Sequence, residues 1–332
     1  MTILGIESSC DETSAAVYNA SGLLSNVVST QAIHKKYGGV VPEFASRAHE
    51  QAIWPTVEQA LSEAGMKKSD LQGVAVANGP GLMGALLVGL SFAKGFALSN
   101  KLPIIGVNHM QAHVYANFIE KKPEFPFLCL TVSGGHTQIE YIPEPFNHQI
   151  LGKTRDDAAG EAFDKIGKIF GLPYPAGPVM DKLSANGDPR FHRFPRALMN
   201  EGFDFSFSGL KTSALYHLES VGNKDEQKAY LEKNLSHLCA SVSDAITDAL
   251  IRKTQMAIDE TGVKTLLLAG GVSANSMLRA KSEKLAKENG LKLYVPRISF
   301  CTDNAAMIAV TGYMKAKRGL FDDMSLKAYA RM

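Results

Sequence analysis

Short, continuous apolar runs alternate along the chain with longer amphipathic stretches, the pattern of an α/β protein. Residues 3–7 (Ile-Leu-Gly-Ile-Glu) are apolar and β-branched. A turn of small and acidic residues follows, Ser8-Ser9-Cys10-Asp11-Glu12-Thr13, and residues 14–18 read as a second strand. Together they predict a β-hairpin whose turn is lined by hydroxyls and backbone amides. The same construction recurs at 127–132, Ser133-Gly134-Gly135-His136-Thr137 and 138–142. Between the hairpins the pattern predicts a helix over 45–64, a strand at 74–77, a glycine turn at Gly79-Pro80-Gly81, a helix to about 99 and a strand at 104–107. His109 then opens a helix. Beyond the second hairpin, helices are expected around 160–170, 178–186 and 225–260, and a strand at 265–268 running into Gly270-Gly271-Val272-Ser273-Ala274-Asn275 and a helix to 289. A last strand at 292–295 precedes a helix from about 302. No Gly/Ser or Pro linker divides the halves, so two lobes sharing an interface and a cleft are expected, 1–125 with 302–332 packing back on it, and 126–301.

Composition narrows the class without naming a function. A chain of 332 residues is long enough for each lobe to bury its own core. Its 45% hydrophobic and 20% charged residues are ordinary for a soluble globular protein. Four cysteines (Cys10, Cys129, Cys239, Cys301) lie scattered with no Cys-x-x-Cys, so neither a disulfide framework nor a cysteine zinc site is indicated, and a reducing, cytoplasmic setting fits. The N-terminus enters a strand-like run without a basic segment or cleavage site. The longest apolar stretch, 84–98, carries Lys94 and interior glycines and reads as too short and interrupted for a membrane span. A net charge of +2 neither demands nor excludes nucleic acid.

The first candidate chemistry is His109-Met110-Gln111-Ala112-His113. Four residues apart on a helix, two imidazoles share one face and can chelate a divalent metal. The string approaches the zinc-peptidase helix, but Met110 stands where that chemistry needs a glutamate base. Two ordinary surface or capping histidines remain the alternative on spacing alone. The second candidate is a set of three glycine junctions, at 8–13, 133–137 and 270–275, where small residues let backbone N–H groups approach a phosphate. None is a Walker A loop or a Rossmann fingerprint. A third is Arg190-Phe191-His192-Arg193-Phe194-Pro195-Arg196, which interleaves cations and aromatics as a nucleic-acid surface does, and as a loop packed by its own phenylalanines also does. The tail, residues 315–318 with Lys327 and Arg331, is a further source of positive charge.

Residues 3–13, Tyr37-Gly38-Gly39-Val40-Val41-Pro42-Glu43, 109–113, 133–137, 157–165, Phe205-Ser206-Phe207-Ser208-Gly209-Leu210-Lys211-Thr212, 270–275 and Cys301-Thr302-Asp303-Asn304 together resemble the TsaD family in its bacterial form. That family, once described as an O-sialoglycoprotein endopeptidase, is the catalytic subunit for N6-threonylcarbamoyladenosine in tRNA. The resemblance implies an actin/Hsp70/sugar-kinase fold, two lobes on related mixed β-sheets with a nucleotide cleft between them. It implies transfer of a threonylcarbamoyl group from threonylcarbamoyl-AMP to N6 of adenosine 37 in tRNAs reading ANN codons, with ATP or ADP able to occupy the same cleft. It implies one divalent metal, iron ahead of zinc, on His109, His113 and Asp303; residues alone would make Thr302 or Asp303 a helix N-cap. It implies nucleotide contacts from Thr131, Val132, Ser133, Gly134, Gly135, Asp164, Gly177, Asp181 and Asn275. Asp11 and Glu12, in the first turn, are candidate groups for orienting substrate or accepting a proton. The implied partners are tRNA, an inactive TsaB-like paralogue and a TsaE-like ATPase, with no membrane. A small-molecule kinase of the same fold and a metallopeptidase are the alternatives.

Overall fold

The strand β1 (Ile3–Glu7) is buried at every position, so it must be covered on both faces. The computed structural model, which describes residues 1–37 and 39–330, places it at the centre of a five-stranded sheet. Gly38 of the Tyr37–Glu43 motif and Arg331 of the basic tail lie outside the described residues. β2 (Glu12–Asn19) and β3 (Gly22–Thr30) continue from β1 as an antiparallel meander, while β4 (Gly73–Gly79) and β5 (Ile104–Asn108) join in parallel, giving the order β3-β2-β1-β4-β5. Parallel neighbours require crossovers, supplied by α1 (Pro42–Glu63) and α2 (Met83–Asn100). Leu4, Ile6, Val74 and Val76 pack with Ile53, Val57, Leu90 and Phe96 of these helices into one core. α3 (His109–Tyr115) follows β5 directly.

The second sheet repeats the first. β6 (Phe127–Val132), β7 (Thr137–Ile142) and β8 (Gln149–Lys153) are antiparallel, and β9 (Thr265–Ala269) and β10 (Lys292–Tyr294) add in parallel on the other side of β6. The order β10-β9-β6-β7-β8 is that of the first sheet with each strand replaced by its counterpart. α4 (Ala159–Ile169), α5 (Gly177–Ser184), α6 (Ser208–Glu219), α7 (Lys224–Thr261) and α8 (Ser276–Glu288) accompany it. α7 opens on a capping box between Asn223 and Glu226, and its buried positions begin at Leu238. From there Val242, Ile246 and Leu250 join Leu128, Leu130, Phe163 and Leu266 in the second core.

The chain then returns to the first sheet as α9 (Ala305–Ala316), which crosses β1 so closely that a Cβ on Gly5 would lie 2.6 Å from Ala309 N. Two compact units result, Met1–Lys122 with Pro296–Met332, and Pro123–Val295. Three elements escape the hydrophobic pattern. β3 and β8 are edge strands with mixed, partly exposed residues, and α6 carries exposed Leu215 and Tyr216 on an otherwise polar surface. The apolar stretch at 84–98 is also corrected. Its glycines and Lys94 do not interrupt α2, whose 18 residues are long and apolar enough, by length and composition, to cross a membrane. Seven of them, including Leu86, Leu90 and Phe96, are buried within the unit, and Lys94 Nζ donates to Leu326 O at 2.6 Å.

Candidate functional site

The parallel strand β5 ends at Asn108, whose Oδ1 accepts from Gln111 N at 2.9 Å and so caps α3. His109 and His113 therefore stand on the first turns of a fixed helix, rings 4.7 Å apart and nearly perpendicular. Asp303 meets them from the segment before α9: its Oδ1 is 3.1 Å from His113 Nε2 and 3.5 Å from His109 Nε2. All three candidate ligand atoms lie within 4.8 Å of one another. Metal–nitrogen and metal–oxygen bonds of about 2.0–2.2 Å put neighbouring ligands about 3–3.5 Å apart, so this spacing fits one small divalent cation.

The surroundings orient the ligands. Glu7, fully buried at the end of β1, has Oε2 at 3.0 Å from His109 Nδ1, and Ser9 Oγ lies 3.1 Å from the same nitrogen. A proton on Nδ1 donated to Glu7 leaves the Nε2 lone pair facing Asp303, the tautomer a metal requires. Burial disfavours a charged His109, yet Asp303 and Glu7 outweigh it and hold the imidazole well above its ordinary range. Burial likewise opposes a charged Asp303, and His109 and His113 overcome it and hold the carboxyl well below its usual value. His113 Nδ1 is buried without a hydrogen-bond partner among the described residues. Met110, at the position of a peptidase base, is buried.

The cap of α9 differs from the sequence expectation. Asn304, rather than Thr302 or Asp303, caps it by accepting from Met307 N at 3.1 Å, and Asn26 Oδ1 of β3 accepts from Ala306 N at 3.0 Å. Three successive residues of capping type gave no sequence signal to choose among them. With Asn304 as cap, the Asp303 carboxylate is free to face the histidines. Glu7 and Ser9 were also missed as site residues, although a carboxylate closing a wholly apolar strand was the available signal.

In the first hairpin turn, His49 of α1 donates from Nε2 to Cys10 O at 2.9 Å and accepts from Thr13 Oγ1 at 2.7 Å, fixing the turn. Burial holds His49 below the ordinary histidine range, consistent with this neutral tautomer. Burial, then Asp303 and Asp11, pushes the Glu12 carboxyl up to about 9. The Cys10 thiol is pushed up by burial, Asp303 and Asp11, away from thiolate reactivity.

In the second unit the glycine junctions converge. Ser133 N donates to His136 O at 2.8 Å and His136 N to Ser133 Oγ at 3.0 Å, closing the β6–β7 turn. Thr131 and Val132 are buried in β6. Gly160, at the start of α4, sits against this turn, where a Cβ would be 2.5 Å from Ser133 O and 2.8 Å from Gly134 Cα. Gly270, at φ +82°, lies against Val132, where a Cβ would be 2.4 Å from its carbonyl oxygen. At Gly134 and Gly135, by contrast, no heavy atom stands within 4 Å of a Cβ position and φ is not left-handed. Neither backbone strain nor a protein neighbour requires glycine there, and open room beside exposed amides is what these residues provide.

The acidic members of the set are engaged within the protein. Asp164 Oδ1 accepts from Ala176 N at 2.7 Å, ahead of Gly177 at the start of α5. Burial raises this carboxyl against the backbone N–H groups of Ala176 and Gly177. Asp181 Oδ1 accepts from Ser276 N at 3.0 Å and Ser276 Oγ at 2.7 Å. Asn275 Oδ1 accepts from Leu278 N at 2.9 Å as the cap of α8. Ser273 Oγ is buried with no hydrogen-bond partner. The Phe205–Thr212 motif is anchored by Asp156, which accepts from Phe207 N at 2.8 Å, Ser206 Oγ at 2.5 Å and Ser208 Oγ at 2.8 Å.

The Arg190–Arg196 segment divides in two. Phe194 is core, and Arg196 bridges Asp244 at 2.6 Å and Asp248 at 2.7 Å, with Lys281 completing the network. Those residues are structural, whereas Arg190 and Arg193 are exposed. In the tail, Lys315 Nζ donates to Gly106 O at 2.6 Å, so it adds no free surface charge.

Comparison with known proteins agrees with this geometry. The sequence model of the TsaD family, described as tRNA N6-adenosine threonylcarbamoyltransferase, matches residues 22–310. The tRNA N6-adenosine threonylcarbamoyltransferase of Riemerella anatipestifer is 51% identical over 333 residues, covering 99% of this chain and 97% of that one. That of Cytophaga hutchinsonii is 51% identical over 314 residues, covering 94% and 91%. Among solved structures, (R)-2-hydroxyglutaryl-CoA dehydratase component A of Acidaminococcus fermentans superposes with a TM-score of 0.57 at 14% identity, covering 96% of this chain and 99% of that one. A ROK hexokinase from Thermus thermophilus gives 0.52 at 15% identity, covering 96% and 100%. These two likenesses show the actin/Hsp70/sugar-kinase fold alone. The family match spans most of the sequence and the relatives share half of it from end to end, and on that ground this chain belongs to the TsaD family of tRNA N6-adenosine threonylcarbamoyltransferases.

Proposed function

We propose that this chain transfers the threonylcarbamoyl group from threonylcarbamoyl-AMP to N6 of adenosine 37 in tRNAs reading ANN codons, using a metal held by His109, His113 and Asp303. The observation that carries the reading is the convergence of those three side chains, with Glu7 fixing the tautomer of His109, in a chain of this family. Two imidazoles and one carboxylate form the ligand set that ferrous iron takes, and zinc accepts it too; metal analysis separates them. When bound, the cation supplies Lewis-acid polarisation of oxygens on the acyl-adenylate.

The chain's own residues have separate tasks. The open amides of Gly134 and Gly135 receive phosphate, with the Ser133 amide holding the turn closed on His136 O, and the Asp164–Gly177 and Asp181–Asn275 junctions frame the nucleoside. Thr131 and Val132 hold that loop at the end of β6. Asp11 and Glu12, in the first turn, orient the substrate or accept the proton released by the attacking amine. The N6–carbonyl bond forms as the carbonyl–oxygen bond to AMP breaks, and AMP leaves with that electron pair. An aromatic amine is a poor nucleophile, so positioning and leaving-group stabilisation carry most of the rate. tRNA is the acceptor, and an inactive TsaB-like paralogue and a TsaE-like ATPase are the partners that sustain turnover.

The test combines the chain, both partners, unmodified tRNA and threonylcarbamoyl-AMP, with mass spectrometry of the nucleosides. Metal-dependent threonylcarbamoyladenosine is expected. Phosphorylation of a sugar or acid in a parallel mixture supplied with ATP and that acceptor, with no threonylcarbamoyladenosine formed, would make the chain a kinase of the same fold.

A further inference from the structure

The half of the Arg190–Arg196 segment left over by packing borders a groove that the metal centre and the glycine loops do not use. His192 turns inward and stacks on His217 of α6, ring centroids 3.9 Å apart, while its backbone N donates to Ser241 Oγ at 3.1 Å. The two imidazoles line an open groove of about 680 Å³, walled by the hydroxyls of Thr212, Ser213 and Ser220 and by Tyr216, a residue that is 64% exposed. That volume lies in the range of small-molecule sites. Along the chain, Arg190 and Arg193 flank His192 and Lys211 precedes Thr212; all three are exposed and none makes an ion pair among the described residues. Phe191 keeps its ring flat against His237, 5.1 Å away at 25°, and is still 40% exposed.

The chemistry of this groove selects a ligand class. Burial lowers both histidines, and His217 is lowered further by His192, so the groove carries neutral rings with one donor and one acceptor each. His217 Nε2 is already paired with Tyr230 Oη at 3.0 Å. The nearest carboxylate along the chain, Asp188, accepts from the backbone N–H of Arg190 at 2.9 Å. A neutral, hydroxyl-lined groove with an exposed tyrosine, whose lining residues His192 and Thr212 have exposed cations beside them along the chain, suits a flat polar ring attached to an anion. A nucleotide splayed from single-stranded RNA has both parts.

We propose that this groove binds a single-stranded nucleotide of the tRNA substrate other than the modified adenosine, with Tyr216 stacking on the base and Arg190, Arg193 and Lys211 contacting phosphate. It rests on the transfer to tRNA proposed above. The test uses the full chain with its partners and compares wild type, Tyr216→Ala, Tyr216→Phe and the double variant Arg190→Gln/Arg193→Gln. tRNA binding is followed by fluorescence anisotropy across a salt series, and kcat and KM are measured for both substrates. Tyr216→Ala should weaken tRNA binding and raise its KM about tenfold, the loss expected of one stacked base. Tyr216→Phe should restore both, and KM for threonylcarbamoyl-AMP should stay unmoved. The double variant should reduce the slope of log affinity against log salt by about 1.4, two single-strand phosphate contacts. Wild-type tRNA affinity and salt slope in Tyr216→Ala and the double variant, alongside normal wild-type turnover, would overturn the groove and leave the transfer reading standing. A wild-type complex that forms no threonylcarbamoyladenosine would overturn both.

Discussion

Replacing Glu7 by glutamine removes one buried charge and almost no volume, and its consequence follows from two contacts. One carboxylate oxygen accepts from Ser9 N at 2.5 Å and the other faces His109 Nδ1 at 3.0 Å. A carboxylate satisfies both donors, whereas an amide has one acceptor and one donor group and can satisfy only one. If the amide oxygen stays on Ser9 N, the NH₂ faces Nδ1. The imidazole must then carry its proton on Nε2, the atom 3.5 Å from Asp303 through which it would ligate a metal. If the amide flips, the buried Ser9 N–H loses its acceptor, at a cost of about 1–3 kcal/mol in stability. Loss of such an outer partner typically lowers metal affinity about 10–100-fold, which corresponds to roughly 1.4–2.7 kcal/mol. The assay is competition between the metal-stripped protein and a chromophoric chelator for Co²⁺ or Zn²⁺, with urea unfolding of the same samples. Metal affinity within twofold of wild type, together with an unchanged urea midpoint, would refute the assignment of Glu7 to the histidine tautomer.

Other substitutions separate binding from scaffolding. Gly134→Ala meets no heavy atom within 4 Å, so stability should stay within about 0.5 kcal/mol of wild type, while calorimetric titration with ADP should show weaker binding if the loop amides hold phosphate. Gly160→Ala, with a Cβ 2.5 Å from Ser133 O, should instead cost about 1–3 kcal/mol in urea unfolding. Asn108→Ala removes the cap of α3 and should cost about 1 kcal/mol. Tyr329→Phe, which deletes the hydroxyl accepting from Asn108 Nδ2 at 2.8 Å, should weaken cobalt binding in the same direction by a smaller factor. Asp248 is opposed by burial but held below the ordinary aspartate value of 3.8 by Lys281 and Arg196. Its contribution to stability is therefore present above pH 3.8 and is lost as pH falls through the folded value. The difference in unfolding free energy between wild type and Asp248→Asn should be largest near neutrality and vanish at the acid end of a pH series.

Much of this architecture is written in apolar continuity. β1, β4, β6 and β9 are interior strands, and β5, at an edge but buried along nearly all its length, shares their unbroken hydrophobic runs, which leave little choice of element. The repeated hairpin at 8–13 and 133–137 announces the duplicated sheet. β3 and β8 were not legible because an edge strand needs only one apolar face and tolerates polar residues on the other. The metal centre was legible in part. His109 and His113 share a helix and a spacing, but Asp303 lies 190 residues beyond His113, and only the packing of α9 on β1 brings it back. The aromatic–cation segment shows the opposite failure. Arg193 and Arg196 look alike in sequence, and only Asp244 and Asp248, one helical turn apart on α7, turn Arg196 into part of the scaffold.

The most direct test is nucleoside mass spectrometry on tRNA incubated with threonylcarbamoyl-AMP, both partners and either wild type or His113→Ala, each analysed for bound metal. One divalent metal per wild-type chain and threonylcarbamoyladenosine at position 37 are expected. His113→Ala should remain folded, bind little metal and make little or no product. Full modification by metal-free His113→Ala would contradict metal-dependent transfer.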